Sequence, residues 1–293
     1  MIYSFLTVHR LTVSAMAVAL ARVVGVPSTA VDIADEDSAE DRSGRDWDAL
    51  VLCGYHAVAG DVALAWEVSV ADAVPDPPDE AEAARSLAAL SGTTVLYPAE
   101  EAVPSAYWAA APDGTVTRAR VVEAGAGGGA VVVEVEAVET AVAQLPLARV
   151  QLLPEIFREE KVPTPVADAF AALTDADGSA PARGPENRAR EELLLWERLV
   201  RRIEADWAPT GRYPEELYLE DLRTRDGLAE RLSTVHGTLA EEIARSAETL
   251  DILFRTHTTD DGGELLGRLT KAGSAIADRG WWWRRRPARL PWV

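Results

Sequence analysis

The stretch RTHTTDDGGE brings His257, Asp260, Asp261 and Glu264 within eight residues. An imidazole and three carboxylates are donor types that hold a divalent cation, and Gly262 and Gly263 would let the backbone wrap around one. Asp and Gly are equally the ordinary stop and turn residues at the end of a helix. Nothing else nearby in the sequence completes a coordination shell, so the turn reading is preferred and no bound metal is expected at His257. The remaining histidines, His9, His56 and His236, are scattered and mark no catalytic centre.

Other acidic stretches are similarly unspecific. TDADGS, around Asp175 and Asp177, resembles the opening of a calcium loop but lacks the distal glutamate of an EF-hand. DIADEDSAEDRSGRD, from Asp32 to Asp46, reads as a solvated acidic loop that also offers a surface to a basic partner. GxSxG, GxGxxG, phosphate-loop and HExxH patterns are all absent, so no catalytic residue and no cofactor is assigned.

The C-terminal stretch RGWWWRRRPARLPWV is of another kind. Trp281, Trp282 and Trp283 run into Arg284, Arg285 and Arg286, and Trp292 follows. Tryptophan with arginine suits anchors on a protein surface, an interfacial contact with anionic lipid or stacking on single-stranded nucleic acid. Docking, within the chain or on a protein partner, is the preferred reading, and these seven residues are the candidate partner-binding set. Membrane contact is expected only through this tail. The tail is expected to occupy an ordered site, because four indoles left in water forgo roughly 1.5–3 kcal/mol each.

The elements that must carry these groups follow from patterning. At 293 residues the chain suits two domains. The apolar start, MIYSFLTVHRLTVSAMAVALARVVGVP, has no basic region ahead of it and is interrupted by Arg10 and Arg22. It reads as a core element of a cytoplasmic protein, not a signal peptide or membrane span. LARVVG and LAALSG each close a helical pattern with a glycine, Gly25 and Gly92, suited to a left-handed cap. A short strand and a hairpin follow in both places, DALVLCGYHAV with VALAWEVSV, then SAYWAAA with TVTRARVVEA, and GAVVVEVEAVE adds a strand after Gly125, Gly127, Gly128 and Gly129.

The expected fold is therefore α+β: an antiparallel sheet domain over 1–173, with possible duplicated units of one helix and three strands at 1–72 and 79–139 plus a connector. A linker at 174–187 and a helical hairpin or bundle at 188–278 follow, then the tail at 279–293. The helical part rests on two amphipathic stretches, one with Leu195, Leu199 and Ile203, the other with Leu228, Leu232, Val235, Leu239, Ile243, Leu250 and Leu253, joined through APTGRYPEELYLEDL.

Charge narrows the function. Lys plus Arg total 29 against 48 Asp plus Glu, a net charge of -19, and removing the five arginines from Arg279 onward leaves the body at -24. Such a body does not bind nucleic acid, which needs a positive footprint, but it suits a basic protein partner. Only Lys161 and Lys271 are lysines, and the arginine, alanine and valine excess matches translation of a GC-rich bacterial genome. Cys53, alone in an apolar run, can form no intramolecular disulfide and reads as a buried inert thiol. The reading is of a non-enzymatic acidic binding protein, an adaptor or a neutraliser in the manner of immunity proteins that cover basic toxins. The alternatives are a structural subunit of a larger assembly and a metal-dependent enzyme centred on the His257 loop.

Overall fold

The computed structural model describes residues 1–99, 103–124, 131–176, 185–233, 238–271, 276 and 278–292. The glycine cluster at 125–129, Val235, His236, Asp177 and most of the expected linker lie outside the described residues. The chain forms two compact units, Met1–Glu160 and Lys161–Val293. The class is α+β.

The first unit runs β1 (Ile2–Thr7), α1 (Val13–Val24), β2 (Val31–Asp35), α2 (Ala39–Ser43), β3 (Val51–Ala57), β4 (Ala59–Gly60), β5 (Leu64–Val70), α3 (Glu80–Ser91), β6 (Val95–Pro98), β7 (Ala106–Ala110), β8 (Val116–Ala124), β9 (Val132–Val138), β10 (Arg149–Val150) and α4 (Pro154–Glu159). One helix and three strands do recur in sequence, but their pairing differs. The sheet order is β10-β9-β8-β7-β6-β1-β5-β3-β2, with β4 beside β9. β2 lies parallel to β3, whereas β6 is antiparallel to β7, so the sheet is mixed and not wholly antiparallel. β1 enters between β5 and β6 and joins the two halves. The order β6-β1-β5-β3 is a split β-α-β arrangement, in which β1-α1-β3 and β5-α3-β6 correspond. Any duplication therefore begins one strand before each helix.

Both helices start and stop where their residues dictate. Thr12 accepts from Ala15 N and Asp79 from Glu82 N, supplying the side-chain oxygen that a first turn lacks. Gly25 and Gly92 end the helices in the left-handed region, at φ 78° and 70°. α1 and α3 cover one sheet face, where Met16, Leu20 and Leu87 pack on Tyr3, Phe5, Val68 and Cys53. Burial pushes the Cys53 thiol up, so it stays protonated.

The second sheet face curls on itself around Leu6, Leu96, Val121, Val133 and Val135. The turn after β3 reaches β9 through Ala59–Val132 and Gly60–Val133 pairing, and Asp61 Oδ2 accepts from Val135 N at 2.9 Å. A Cβ on Gly60 would overlap the Val133 carbonyl, and its φ of 102° favours glycine as well. α4 is tied down by Arg118, which is 1% exposed. Its guanidinium lies between the Trp108 and Phe157 rings at 4.8 and 4.3 Å and meets Glu139 and Glu160.

The second unit is built on α5 (Pro165–Ala176), α6 (Pro185–Glu204), α7 (Glu215–Leu232), α8 (Thr238–Thr256), β11 (Thr258–Asp260), α9 (Glu264–Leu269) and β12 (Arg285–Pro287). Among the described residues it has three long helices where two were expected, because PEELYLEDL, read as a joint, is the start of α7. Buried Tyr218 and Arg225 sit in its inner stripe beside Leu217, Leu222 and Leu228, which breaks the apolar periodicity. α5, expected in the first domain, packs with α6 and α8. The reason is electrostatic: buried Glu197 of α6 accepts from Val166 N and Ala167 N at 3.1 and 2.7 Å, placing a carboxylate on the N-terminus of α5. Among the described residues no helix is long and apolar enough to cross a membrane.

One buried acid gives this unit a pH dependence. Asp221 keeps a little surface, yet burial pushes its carboxyl up to about 7, against the hydrogen bond from Tyr213 at 2.7 Å and the guanidiniums of Arg202 and Arg198, with Glu220 adding to the rise. An unfolded Asp titrates near 3.9, so between about 4 and 7 the folded state holds more protons and stability falls as pH rises. The melting temperature should drop between pH 5 and pH 8, and Asp221→Asn should flatten that slope. Equal slopes for both proteins would show that Asp221 is ionised throughout.

Candidate functional site

The His257 loop is occupied by backbone. Thr258–Asp260 pairs with Arg285–Pro287. Asp260 Oδ1 accepts from Gly262 N at 2.9 Å, while Asp261 accepts from Gly263 N at 2.9 Å and Leu265 N at 3.1 Å, completing the first turn of α9. Gly262 and Gly263 sit at φ 69° and 88°, which the turn requires. Glu264 is exposed and His257 half-buried. Among the described residues no three His, Cys, Asp or Glu side chains gather to hold a metal ion.

The tryptophan and arginine set does not form one outward patch. Trp283 is 0% and Trp282 7% exposed. Both indoles donate to Asp226, Trp282 at 2.9 Å and Trp283 at 2.8 Å. Arg225 stacks on Trp282, Arg279 on Trp283 and Arg255 on Trp281, with guanidinium carbons 4.3, 4.2 and 3.8 Å from the rings. Arg285 donates to Thr258 Oγ1 and to the carbonyls of Thr258 and Arg255. Trp292 meets Tyr218, with ring centroids 5.3 Å apart. Arg284 is exposed, and Arg286, Trp281 and Trp292 keep part of their surface. Two of the seven candidates are thus core residues, and a partner meets only the others unless this segment is displaced.

A concave site lies in the sheet unit. It is a cleft of about 250 Å³ lined by Ser4, Leu6, Glu36, His56, Glu67 and Tyr107, among others. Strand alternation places Ser4, Glu67 and His56 on the face away from α1 and α3. Register sets Gly54 opposite Glu67 and Glu67 opposite Ser4, so the three form one row across β3, β5 and β1. Glu36, just past β2, folds over Gly54, and a Cβ there would overlap its Oε1. His56 Nδ1 is 3.9 Å from Glu36 Oε2, beyond a hydrogen bond. Burial raises the Tyr107 hydroxyl above its ordinary value, and Glu123 and Glu80 add to the rise, so it stays a donor.

No family model, curated protein or solved structure matches this chain.

Function therefore rests on geometry. The cleft offers carboxylate acceptors, a phenol donor and an imidazole, but no fixed cation among its described lining residues, so its chemistry favours a positively charged visitor over an anion. Beside it, the acidic segment expected as a solvated loop is folded: Ser38 caps α2, and Arg45 is fixed to Asp32 at 3.0 Å and to the Cys53 carbonyl at 3.0 Å. That holds Trp47 outward, 69% exposed, with Arg45 over its ring at 5.4 Å. Sequence reasoning missed Trp47, Glu67 and Tyr107. For Trp47 the signal was present, an indole between Asp46 and Asp48. For the cleft it was not, since its groups come from separate strands.

Proposed function

We propose that this protein is a non-enzymatic acidic binding protein of the bacterial cytoplasm, a neutraliser or adaptor that covers a basic protein through residues 35–48 and the neighbouring sheet face. The supporting observation is Trp47, 69% exposed on an anchored segment that carries eight acids and two arginines between Asp32 and Asp48. An exposed tryptophan ringed by charge is the residue type that anchors interfaces, and the surrounding carboxylates steer a cationic partner.

Affinity capture with the wild-type and Trp47→Ala proteins, each crosslinked and digested, tests this. Basic proteins crosslinked near 35–48 are expected with wild type and lost in high salt. The purified partner should bind Trp47→Ala roughly thirtyfold more weakly, the consequence of losing about 2 kcal/mol at an anchor. Partners that are not basic, or that ignore both salt and the substitution, would exclude the reading.

A further inference from the structure

The cleft lined by Glu36 and Glu67 specifies which group of a basic partner it holds. We infer that it takes the guanidinium of one arginine side chain presented by that partner, with Glu36 and Glu67 as its two acceptors. This rests on the proposed function above, and the two can fail separately.

The first support is how the fold assembles the acceptors. Glu36 and Glu67 lie 31 positions apart in sequence (67 minus 36). Gly54 is opposite Glu67 in register, and the Glu36 carboxylate occupies the space that a side chain at 54 would fill. The missing side chain thus brings a second carboxylate over the row that already holds Glu67. Like charges gathered on one sheet face disfavour the sheet, and a cation between them reverses the sign.

The second support is that the acceptors are unspent. Among the described residues the Glu67 carboxylate makes no hydrogen bond or ion pair, and the Glu36 carboxylate has only the His56 imidazole at 3.9 Å. This contrasts with the arginine-bearing strand β8 of the same unit, where Arg120 holds Glu136 at 3.1 Å and Glu155 at 2.7 Å.

Size and shape select the guanidinium. About 250 Å³ lies below the range for drug-sized ligands and suits one side chain. Pro98 and Tyr107, paired in register on β6 and β7, also line the cleft, and a planar guanidinium can stack on the Tyr107 ring while its several N–H groups reach for the carboxylates. A lysine ammonium is a point charge without a face to stack. A divalent ion needs about six oxygen ligands at short range, and no three metal-binding side chains gather among the described residues.

The test titrates the full-length protein at low salt with an arginine-bearing peptide, its lysine counterpart and N-acetyl-arginine methylamide, read by amide chemical shifts and calorimetry. The arginine peptide should shift the amides of Ser4, His56, Glu67 and Tyr107, and Glu67→Gln should weaken it about tenfold. Gly54→Ala, which must push Glu36 aside, should weaken it similarly, and Glu36→Gln gives the same reading if Gly54→Ala folds poorly. The lysine peptide should bind less tightly. Shifts spread over the acidic surface, with Glu67→Gln and Glu36→Gln without effect, would overturn the cleft while leaving a Trp47-dependent basic partner standing. Binding of the small arginine derivative without the peptide would overturn the partner as the source and identify a small-molecule site.

Discussion

Replacing Asp251 with alanine is expected to remove about 3–5 kcal/mol from the stability of the helical unit, a large part of what a domain has. Asp251 of α8 holds Arg225 of α7 in two hydrogen bonds, at 3.0 and 2.7 Å, and both residues are buried. Arg225 also lies over the Trp282 ring at 4.3 Å, so it cannot leave for water without disturbing the indole. Removing the carboxylate strands a buried cation whose Nη1 already makes no hydrogen bond among the described residues. Replacing both residues with apolar ones of similar volume, Arg225→Met with Asp251→Leu, should cost far less, because the uncompensated charge is then absent. Urea denaturation followed by tryptophan emission separates the cases. A loss below about 1 kcal/mol for Asp251→Ala would mean that water reaches the pair and screens it.

That ion pair also shows where sequence reading stops. The hairpins β3–β5 and β7–β8 and the caps at Gly25 and Gly92 were legible because each depends on residues a few positions apart. β1 was not: IYSFLT alternates like a strand, but it adjoins an apolar helical stretch, and only its pairing with β5 and β6 decides its state. α7 was lost for a related reason. Its stripe holds a charged residue that becomes tolerable only when Asp251, 26 positions away, arrives to neutralise it. The candidate cleft lies further out of reach. Glu36, Gly54, Glu67 and Tyr107 are unremarkable in their own segments, and sheet register alone sets them side by side.

The tryptophan tail inverts this: its composition was legible at once, its place was not. Replacing Trp283 with alanine is expected to cost about 3–5 kcal/mol, the usual range for a buried indole, since it is 0% exposed and donates to Asp226. Trp283→Phe should recover part of the loss by keeping apolar volume while leaving Asp226 with the Trp282 indole and the Arg279 guanidinium, 3.9 Å away. Truncation after Gly280 should do more. It removes Trp282 and Trp283 together, unpairs β11 from β12 and strips Trp292 from Tyr218. The helical unit is then expected to lose fixed packing, seen as a collapsed near-ultraviolet circular dichroism signal and rapid proteolysis within 188–278, while fragments of 1–160 persist. Arg284→Ala, in contrast, should change stability little, because its carboxylate partner Asp260 is 3.9 Å away and both side chains are about half exposed. Trp282 and Trp283 therefore act as core and Arg284 as surface. A truncated protein that keeps its melting temperature and resists protease would reverse that assignment and leave all seven residues available to a partner.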